Sequence, residues 1–397
     1  MRRLEIIDGL RGYFLVFMMI NHLTFVGGYW LVHANHNQLA FVEDAQGFIF
    51  LSGFLIGLIS VRKMEKSGFG SGARAIWRRA RALYVYVLAV LAAMLVAIVV
   101  LPDAGDIWAE WIGDLRPSDP VRVLSAALMI FQPTYMDILP QYIFYMLFAP
   151  FAVWLTLKGR GEWVLLASAL LWVAAQLGVQ KPLTGPVDEA LKGSGQFGIR
   201  NHFNLLAWQI VFFVPLVFGV LTARNKIEWD RIFAPSRSII PIAALAFCLL
   251  FLPWRVATRF DFLSDEMLRQ LMPFEVRADF GMVYLLNFAA VASGVAWLAI
   301  AGPRHRSQIV QAMATAFRWL MTRSFLRLLG RHSLQVYAWH VVLVYAVIYI
   351  DLRTPEFSQM TKTAIAVAAV LLLALPPLWR DRYLWMGSNA RGAGRAA

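Results

Sequence analysis

Ten apolar runs divide this chain of 397 residues, and each is long enough to cross a lipid bilayer. About 20 predominantly apolar residues span the roughly 30 Å of hydrocarbon as an α-helix. Hydrophobic residues make up 59% of the chain and charged residues only 15%, a composition that excludes a soluble globule. We therefore predict an all-α, polytopic membrane helical bundle of about ten transmembrane helices. The predicted spans cover residues 12–32, 43–61, 82–101, 138–157, 163–180, 204–223, 238–254, 280–301, 333–350 and 363–380.

The distribution of charge sets the predicted orientation of these spans. If both termini are cytoplasmic, 26 Lys and Arg residues lie inside and 11 outside, whereas acidic residues divide into 7 inside and 17 outside. This division follows the positive-inside rule. The net charge of +13 is then mostly a consequence of membrane topology. We therefore expect the lipid bilayer as a partner and expect no nucleic-acid partner.

No soluble domain is evident, and the chain is predicted to be a single integral membrane domain of residues 1–397. The run 123–136 is expected to be a re-entrant or surface helix, because a second crossing there would invert every later loop. The segments 62–81, 102–121, 181–203 and 255–279 are expected to be loops. The arginine-rich segment 302–332 predicts an amphipathic helix on the cytoplasmic leaflet.

The first run carries the polar residues that most strongly indicate function. Arg11 and His22 are 11 positions apart, which places them on nearly the same helix face, roughly 16 Å from each other. If Arg11 lies at the membrane mouth, His22 with its neighbour Asn21 lies near the middle of the bilayer. Polar residues at that depth are costly in hydrocarbon and usually face a bundle interior or a wet cavity.

Other polar residues lie on helices that could surround His22. Ser333, Tyr337 and His340 are separated by four and three residues, which places them on neighbouring faces of one helix. The further candidates are Glu43, Asp44 and Gln46 at the outer start of the second span, and Arg78, Arg79 and Arg81 before the third. No metal site is expected.

These residues carry a resemblance. The segments IDGLRG followed by NH at R-x10-H spacing, FIFLSGFLIG, RRAR before a span and HSLQVYAWH resemble the membrane-bound acyltransferase 3 superfamily. Within it, DGLRGYFLVFMMINHLTFVGG and FVEDAQGFIFLSG are most similar to the OpgC family of osmoregulated periplasmic glucan succinyltransferases. Gln46 occupies a position where acyltransferase 3 proteins often carry an Asp. Glu43 or Asp44 could take over the role of that Asp.

The resemblance implies transfer of an acyl group from cytoplasmic acyl-CoA, with succinyl-CoA the expected cosubstrate, to hydroxyls of a periplasmic glucan across the bacterial inner membrane. It implies His22 as the general base, with Arg11, His340 and Asn21 completing the catalytic set. No permanently bound cofactor is expected. Arg11, Arg78, Arg79 and Arg81 suit charge-assisted hydrogen bonds to the phosphates of coenzyme A. Glu43, Asp44, Gln46, Ser333 and Tyr337 are expected at the substrate.

Several alternatives remain open from the sequence. An intramembrane histidine can simply bond a neighbouring helix, which applies to both His22 and His340. Glu43 and Asp44 could be solvated residues at a helix start. Ser52-Gly53 is interpreted as a packing site rather than a nucleophile.

The function also has alternatives. The acceptor could be another surface polysaccharide that receives an acetyl group, and the acyl group could pass through an acyl-histidine. A transporter using Arg11, His22 and His340 as a polar path is disfavoured because no internal repeat is present. A glucan synthase partner and a homo-oligomer are also left open.

Overall fold

The computed structural model describes residues 2–193, 195–259, 262–271 and 274–381, and these contain helices but no strand. In chain order the helices are α1 Arg2–His22, α2 Asp44–Val100, α3 Ala104–Ile107, α4 Ala109–Ile112, α5 Pro120–Ala127, α6 Ile138–Leu157, α7 Gly161–Gln176, α8 Lys181–Lys192, α9 Leu205–Trp208, α10 Ile210–Ala223, α11 Trp229–Ile232, α12 Ile239–Arg259, α13 Asp265–Leu271, α14 Met282–Ile300, α15 Gln308–Met321, α16 Ser324–Arg331, α17 Ser333–Arg353 and α18 Gln359–Leu372. Short 3-10 helices occupy Trp30–His33, His36–Gln38 and Gly302–Arg304.

The prediction of an all-helical protein with several membrane-spanning helices is confirmed for the described residues. Seven helices of the described chain are long and apolar enough to cross a membrane, and the bent pair α7 and α8 supplies an eighth if it acts as one span. Every one of the ten predicted runs contains helix. The number of crossings and the cytoplasmic position of both termini stay predictions.

Several boundaries differ from those predicted, and the segments 102–121 and 255–279, predicted as loops, also contain the short helices α3, α4 and α13. Helix α1 ends at His22 rather than continuing to residue 32, and the segment after it includes Gly27 and Gly28 with φ values of 70° and 68° that a helix does not allow. The predicted loop 62–81 is helical and joins two predicted spans into α2, interrupted by Gly68 with φ of 76°. The predicted outer loop at 181–203 begins with α8.

The chain forms two compact units, one of residues 1–32 with 319–397 and one of residues 33–318. The prediction of a single domain stays a prediction. In the first unit α1 packs closely against the segment that leads into and forms α16. A Cβ on Gly12 would lie 2.0 Å from the Leu326 carbonyl oxygen, and one on Gly330 would lie 1.8 Å from that of Asp8. Glycine at these positions therefore lets the two backbones touch.

The second unit is organised around α2, which packs against α6 and α10. A Cβ on Gly53 would lie 2.2 Å from the carbonyl oxygen of Phe212, and one on Gly219 would lie 2.1 Å from that of Phe54. The Ser52-Gly53 pair is thus a packing site, as the sequence predicts. The motif FLSGFLIG thus brings α2 into close contact with α10.

Candidate active site

Arg11 and His22 share helix α1, as the sequence predicts, and each contacts helix α17. The guanidinium of Arg11 is only 4% exposed, and its Nη2 donates a hydrogen bond to the Ser333 hydroxyl oxygen. A buried arginine is costly unless its donors find partners, so this contact fixes the position of both side chains. The pairing brings together two of the residues that the sequence selects.

His22 is the last residue of α1, and its ring is partly exposed. Its Nδ1 lies 3.0 Å from Nε2 of His340, which is fully buried on α17. The two rings are tilted by 35° with their centroids 5.2 Å apart, which suits an edge-to-edge hydrogen bond rather than stacking. The structure therefore joins the two histidines that the sequence places on separate spans.

The backbone carbonyl of Tyr337 determines the direction of this contact. Nδ1 of His340 bonds the Tyr337 carbonyl oxygen, and because a carbonyl only accepts, Nδ1 must carry the proton. In neutral His340 the lone pair then resides on Nε2, which accepts from Nδ1–H of His22. The lone pair of neutral His22 is consequently on Nε2. This arrangement is the one that a general base requires.

The residues predicted at the substrate lie at the start of α2, in the second unit. Glu43 caps the helix, and its backbone N–H donates to the side-chain oxygen of Gln46 at 3.0 Å. Nε of Arg277 lies 3.5 Å from Oε1 of Glu43, so the two side chains form an ion pair. Asp44 is buried and lies 3.5 Å from His36, so the alternative of a solvated carboxylate is wrong for this residue. Burial lowers the pKa of His36 to about 4, which keeps that ring neutral near pH 7.

The three arginines predicted to bind coenzyme A lie on the part of α2 that follows Gly68. Arg78 and Arg81 are exposed and three positions apart, so they lie on the same face of the helix, while Arg79 is half-buried on another. All three belong to the second unit, whereas Arg11 belongs to the first. A common donor site made by these four arginines stays a prediction.

The sequence profile of the family described as OpgC protein matches residues 2–385. The chain belongs to the OpgC protein family. Membership identifies a membrane-associated transferase and indicates a glucan-modifying acyltransferase. The match covers α1, α2 and α17, and thus every residue discussed above. Among curated proteins and among solved structures, no match to the chain was found.

In this OpgC-family chain, the segment that follows His22 is held by two buried charged residues that the sequence analysis missed. Asp351 accepts from the Val26 backbone N–H at 2.8 Å. Lys362, which is 0% exposed, donates to the carbonyl oxygens of Val26 and Gly28 and lies 2.9 Å from Glu356. These contacts fix the chain where α1 ends, and so they fix the catalytic candidate. A lysine and an aspartate at the edges of apolar runs were the available signals, but such residues are common at membrane boundaries.

Proposed function

We propose that this protein is an O-acyltransferase of the bacterial inner membrane that moves a succinyl group from cytoplasmic succinyl-CoA to a hydroxyl of a periplasmic glucan. The observation that carries the proposal is the chain of hydrogen bonds from the Tyr337 carbonyl through His340 to His22, in a member of a glucan-modifying family. A partly exposed imidazole with its proton assigned to Nδ1 is suited to take a proton at Nε2.

In the proposed reaction, Nε2 of His22 takes the proton from an acceptor hydroxyl as its oxygen attacks the thioester carbonyl. An ester bond forms as the carbon–sulfur bond breaks, and the thiolate of coenzyme A leaves with the proton returned by His22. His340 supports the step because its Nε2 accepts from Nδ1–H of His22, a contact that strengthens when His22 becomes positively charged. Direct transfer needs fewer steps than an acyl-histidine route, so we favour it.

The remaining residues receive roles according to their chemistry. Arg11, Arg78, Arg79 and Arg81 would bind the phosphates of the donor, because guanidinium groups make charge-assisted hydrogen bonds to phosphate. Asn21, next to His22, or Tyr337, one turn from His340, would donate to the oxyanion that develops on the thioester carbonyl. Ser333 lies roughly 10 Å from His340 along α17 and bonds Arg11, so we assign its hydroxyl to the donor side with Arg11.

The acceptor side of the proposal uses the polar start of α2. Glu43, Asp44 and Gln46 offer carboxylate and amide groups to sugar hydroxyls, which both donate and accept hydrogen bonds. Glu43 and Gln46 also cap the helix, so their substitution would act on both folding and binding.

The experiment uses the wild-type protein in lipid nanodiscs, with succinyl-CoA and acetyl-CoA offered separately, each with and without a neutral glucan. We expect release of coenzyme A only when donor and glucan are both present, with succinyl-CoA as the faster donor. The glucan should gain negative charge, measured by anion-exchange chromatography. Release that ignores the glucan would overturn the proposal, as would flux of a labelled solute into sealed proteoliposomes that show no acyl transfer. Faster transfer from acetyl-CoA would overturn the choice of donor.

A further inference from the structure

The second unit contains a groove of about 500 Å³ on segments that the charge distribution predicts to lie outside the membrane. We call it the Phe197 groove. It is lined by Ala109, Gly113, Asp114, Arg116, Asp119, Gly195, Gln196 and Phe197. Its volume falls within the roughly 300–1,000 Å³ that small-molecule sites occupy. None of these residues belongs to the candidate active site, so the groove needs its own explanation.

The groove is built on a buried arginine. Arg122 is 0% exposed on α5 and lies 2.8 Å from Asp114, and it donates to the Leu191 carbonyl oxygen at 2.9 Å. Its Nε and Nη1 find no hydrogen-bond partner among the described residues. A Cβ on Gly195 would lie 3.1 Å from Nε and 2.5 Å from Nη2 of Arg122, so this guanidinium lies directly behind a residue that lines the groove. The wall of the groove is therefore polar immediately behind its surface.

An acceptor without a partner lies beside these donors. Oδ2 of Asp114 accepts from the backbone N–H of Gln196 at 2.9 Å, whereas Oδ1 is buried and has no hydrogen-bond partner in the described chain. Nη1 of Arg200 also has none, and it approaches within 2.6 Å of a Cβ position on Gly113. These buried atoms lie behind the wall of the groove, and the polar residues that line it, Asp114, Arg116, Asp119 and Gln196, carry both hydrogen-bond donors and acceptors. Hydroxyl groups both donate and accept hydrogen bonds, whereas phosphate and sulfate are anions that the carboxylates of Asp114 and Asp119 would repel.

Phe197 adds an apolar surface to this polar wall. Its side chain is 39% exposed, and the guanidinium of Arg200 lies 5.3 Å from the centre of its ring. Gly113 makes room for the ring, because a Cβ there would lie 3.2 Å from Phe197 and its φ of 62° with ψ of −136° suits only glycine. An aromatic ring flanked by carboxylate and guanidinium groups matches a sugar, which has an apolar face and a rim of hydroxyls.

The charges of the groove are nearly balanced, which also favours a neutral ligand. Arg122 is paired with Asp114, and Arg116 lies 3.2 Å from Asp106. Paired charges attract polyanions weakly, because their fields largely cancel at a distance. From these observations we infer that the Phe197 groove binds a neutral segment of the acceptor glucan at sugars other than the one that is acylated. This inference rests on the proposed function for the identity of the carbohydrate.

A binding measurement tests the groove without any requirement for catalysis. The full-length protein in lipid nanodiscs is titrated with a neutral β-glucan oligosaccharide of about six sugars, followed by calorimetry. Phe197→Ala removes the ring, and Ala109→Trp fills the groove without removing a charged group. We expect each to weaken binding by about five- to tenfold. Phe274→Ala removes a 56% exposed aromatic residue from another predicted outer segment and should leave binding unchanged.

Each outcome decides between alternatives. Wild-type affinity in both groove variants, or no binding of the oligosaccharide by the wild-type protein, would overturn the inference. Binding that inorganic phosphate displaces would identify an anion site instead, and would also overturn it. Phe197→Tyr should bind the oligosaccharide as the wild-type protein does, and each variant must elute as a single species at the wild-type volume, so that misfolding is not mistaken for lost binding.

The two proposals can fail separately. His22→Ala should bind the oligosaccharide normally while losing acyl transfer. If the wild-type protein binds the sugar but transfers no acyl group, the proposed function fails and the groove stands. If transfer occurs and Phe197→Ala leaves the KM for a long glucan unchanged, the groove fails and the function stands. When both hold, Phe197→Ala should raise KM for the long glucan and leave transfer to methyl glucoside unaffected.

Discussion

Nδ1 of His22 lies 3.0 Å from Nε2 of His340, and the Tyr337 carbonyl assigns the proton between them to His22. The two residues are 318 positions apart and come from the first helix and the long helix that begins at Ser333. This contact couples the two histidines, because the buried ring orients the partly exposed one. The contact therefore makes the effect of replacing either ring predictable.

His340→Phe should lower kcat without abolishing transfer. The variant removes the acceptor that Nδ1–H of His22 bonds. The contact then no longer holds the proton of His22 on Nδ1, and the positively charged form of His22 loses a stabilising hydrogen bond. Loss of an orienting partner typically costs 10- to 100-fold, and we expect about that decrease in kcat. His340→Gln supplies an amide oxygen that can accept, and should retain more activity than His340→Phe. Equal wild-type rates in both variants would contradict the assignment.

Lys362→Met should loosen the segment that follows His22. The substitution removes the buried ammonium that donates to the carbonyl of Gly28 at 3.1 Å and pairs with Glu356. Buried acceptors left without a donor cost about 1–3 kcal/mol, so the thermal midpoint in nanodiscs should fall measurably together with transfer activity. Lys158→Met removes an exposed lysine and is the matched control. Equal midpoints in the two variants would show that the Lys362 contacts contribute little.

Gly330→Ala should prevent the close packing of α1 against α16. The added Cβ would lie 1.8 Å from the Asp8 carbonyl oxygen, and backbone on both sides must move to relieve the clash. Overpacking of this kind costs about 1–3 kcal/mol and more where backbone resists, so we expect poorly folded protein by size-exclusion chromatography. At Gly70, a Cβ meets nothing within 4 Å in the described chain, and Gly70→Ala should elute normally. Normal elution of both variants would argue against the close contact.

Asp137→Asn should change how stability depends on pH. Burial raises the pKa of Asp137 from 3.8 to about 7, with Arg200 and Arg277 acting in the opposite direction. A carboxyl with a raised pKa stabilises the fold fully below its unfolded pKa and loses that contribution as pH rises through about 7. The shift corresponds to on the order of 4 kcal/mol. The wild-type thermal midpoint should therefore fall more between pH 5 and pH 8 than that of Asp137→Asn. Parallel profiles would contradict the raised pKa.

Much of the candidate site could be predicted because helical spacing and motif order are local properties of the sequence. The intervals from Ser333 to Tyr337 and His340 place these residues on one side of α17, where Arg11 and His22 meet them. The end of α1 at His22 could not be predicted from hydropathy, which continues to residue 32. It depends on two consecutive glycines with positive φ and on the buried charges that hold the following segment.

The outer segments were the least predictable part of the chain. Arg122 counts toward membrane topology in the sequence, yet it is fully buried and lies behind Gly195 of the Phe197 groove. Its burial depends on Asp114, Leu191 and Phe131, which lie far from it along the chain or in an irregular segment. Contacts of this kind carry no periodic pattern. The sequence likewise predicts a loop where α8 forms.

The rate of acyl transfer by His22→Ala tests the central claim most directly. It should be measured at equal protein amount in nanodiscs, beside His305→Ala, which removes a histidine that bonds Ser238 at 3.2 Å. General-base catalysis contributes about 10²- to 10⁴-fold, so His22→Ala should transfer at least about 100-fold more slowly, while His305→Ala matches the wild-type rate. Transfer by His22→Ala at the wild-type rate would contradict the account.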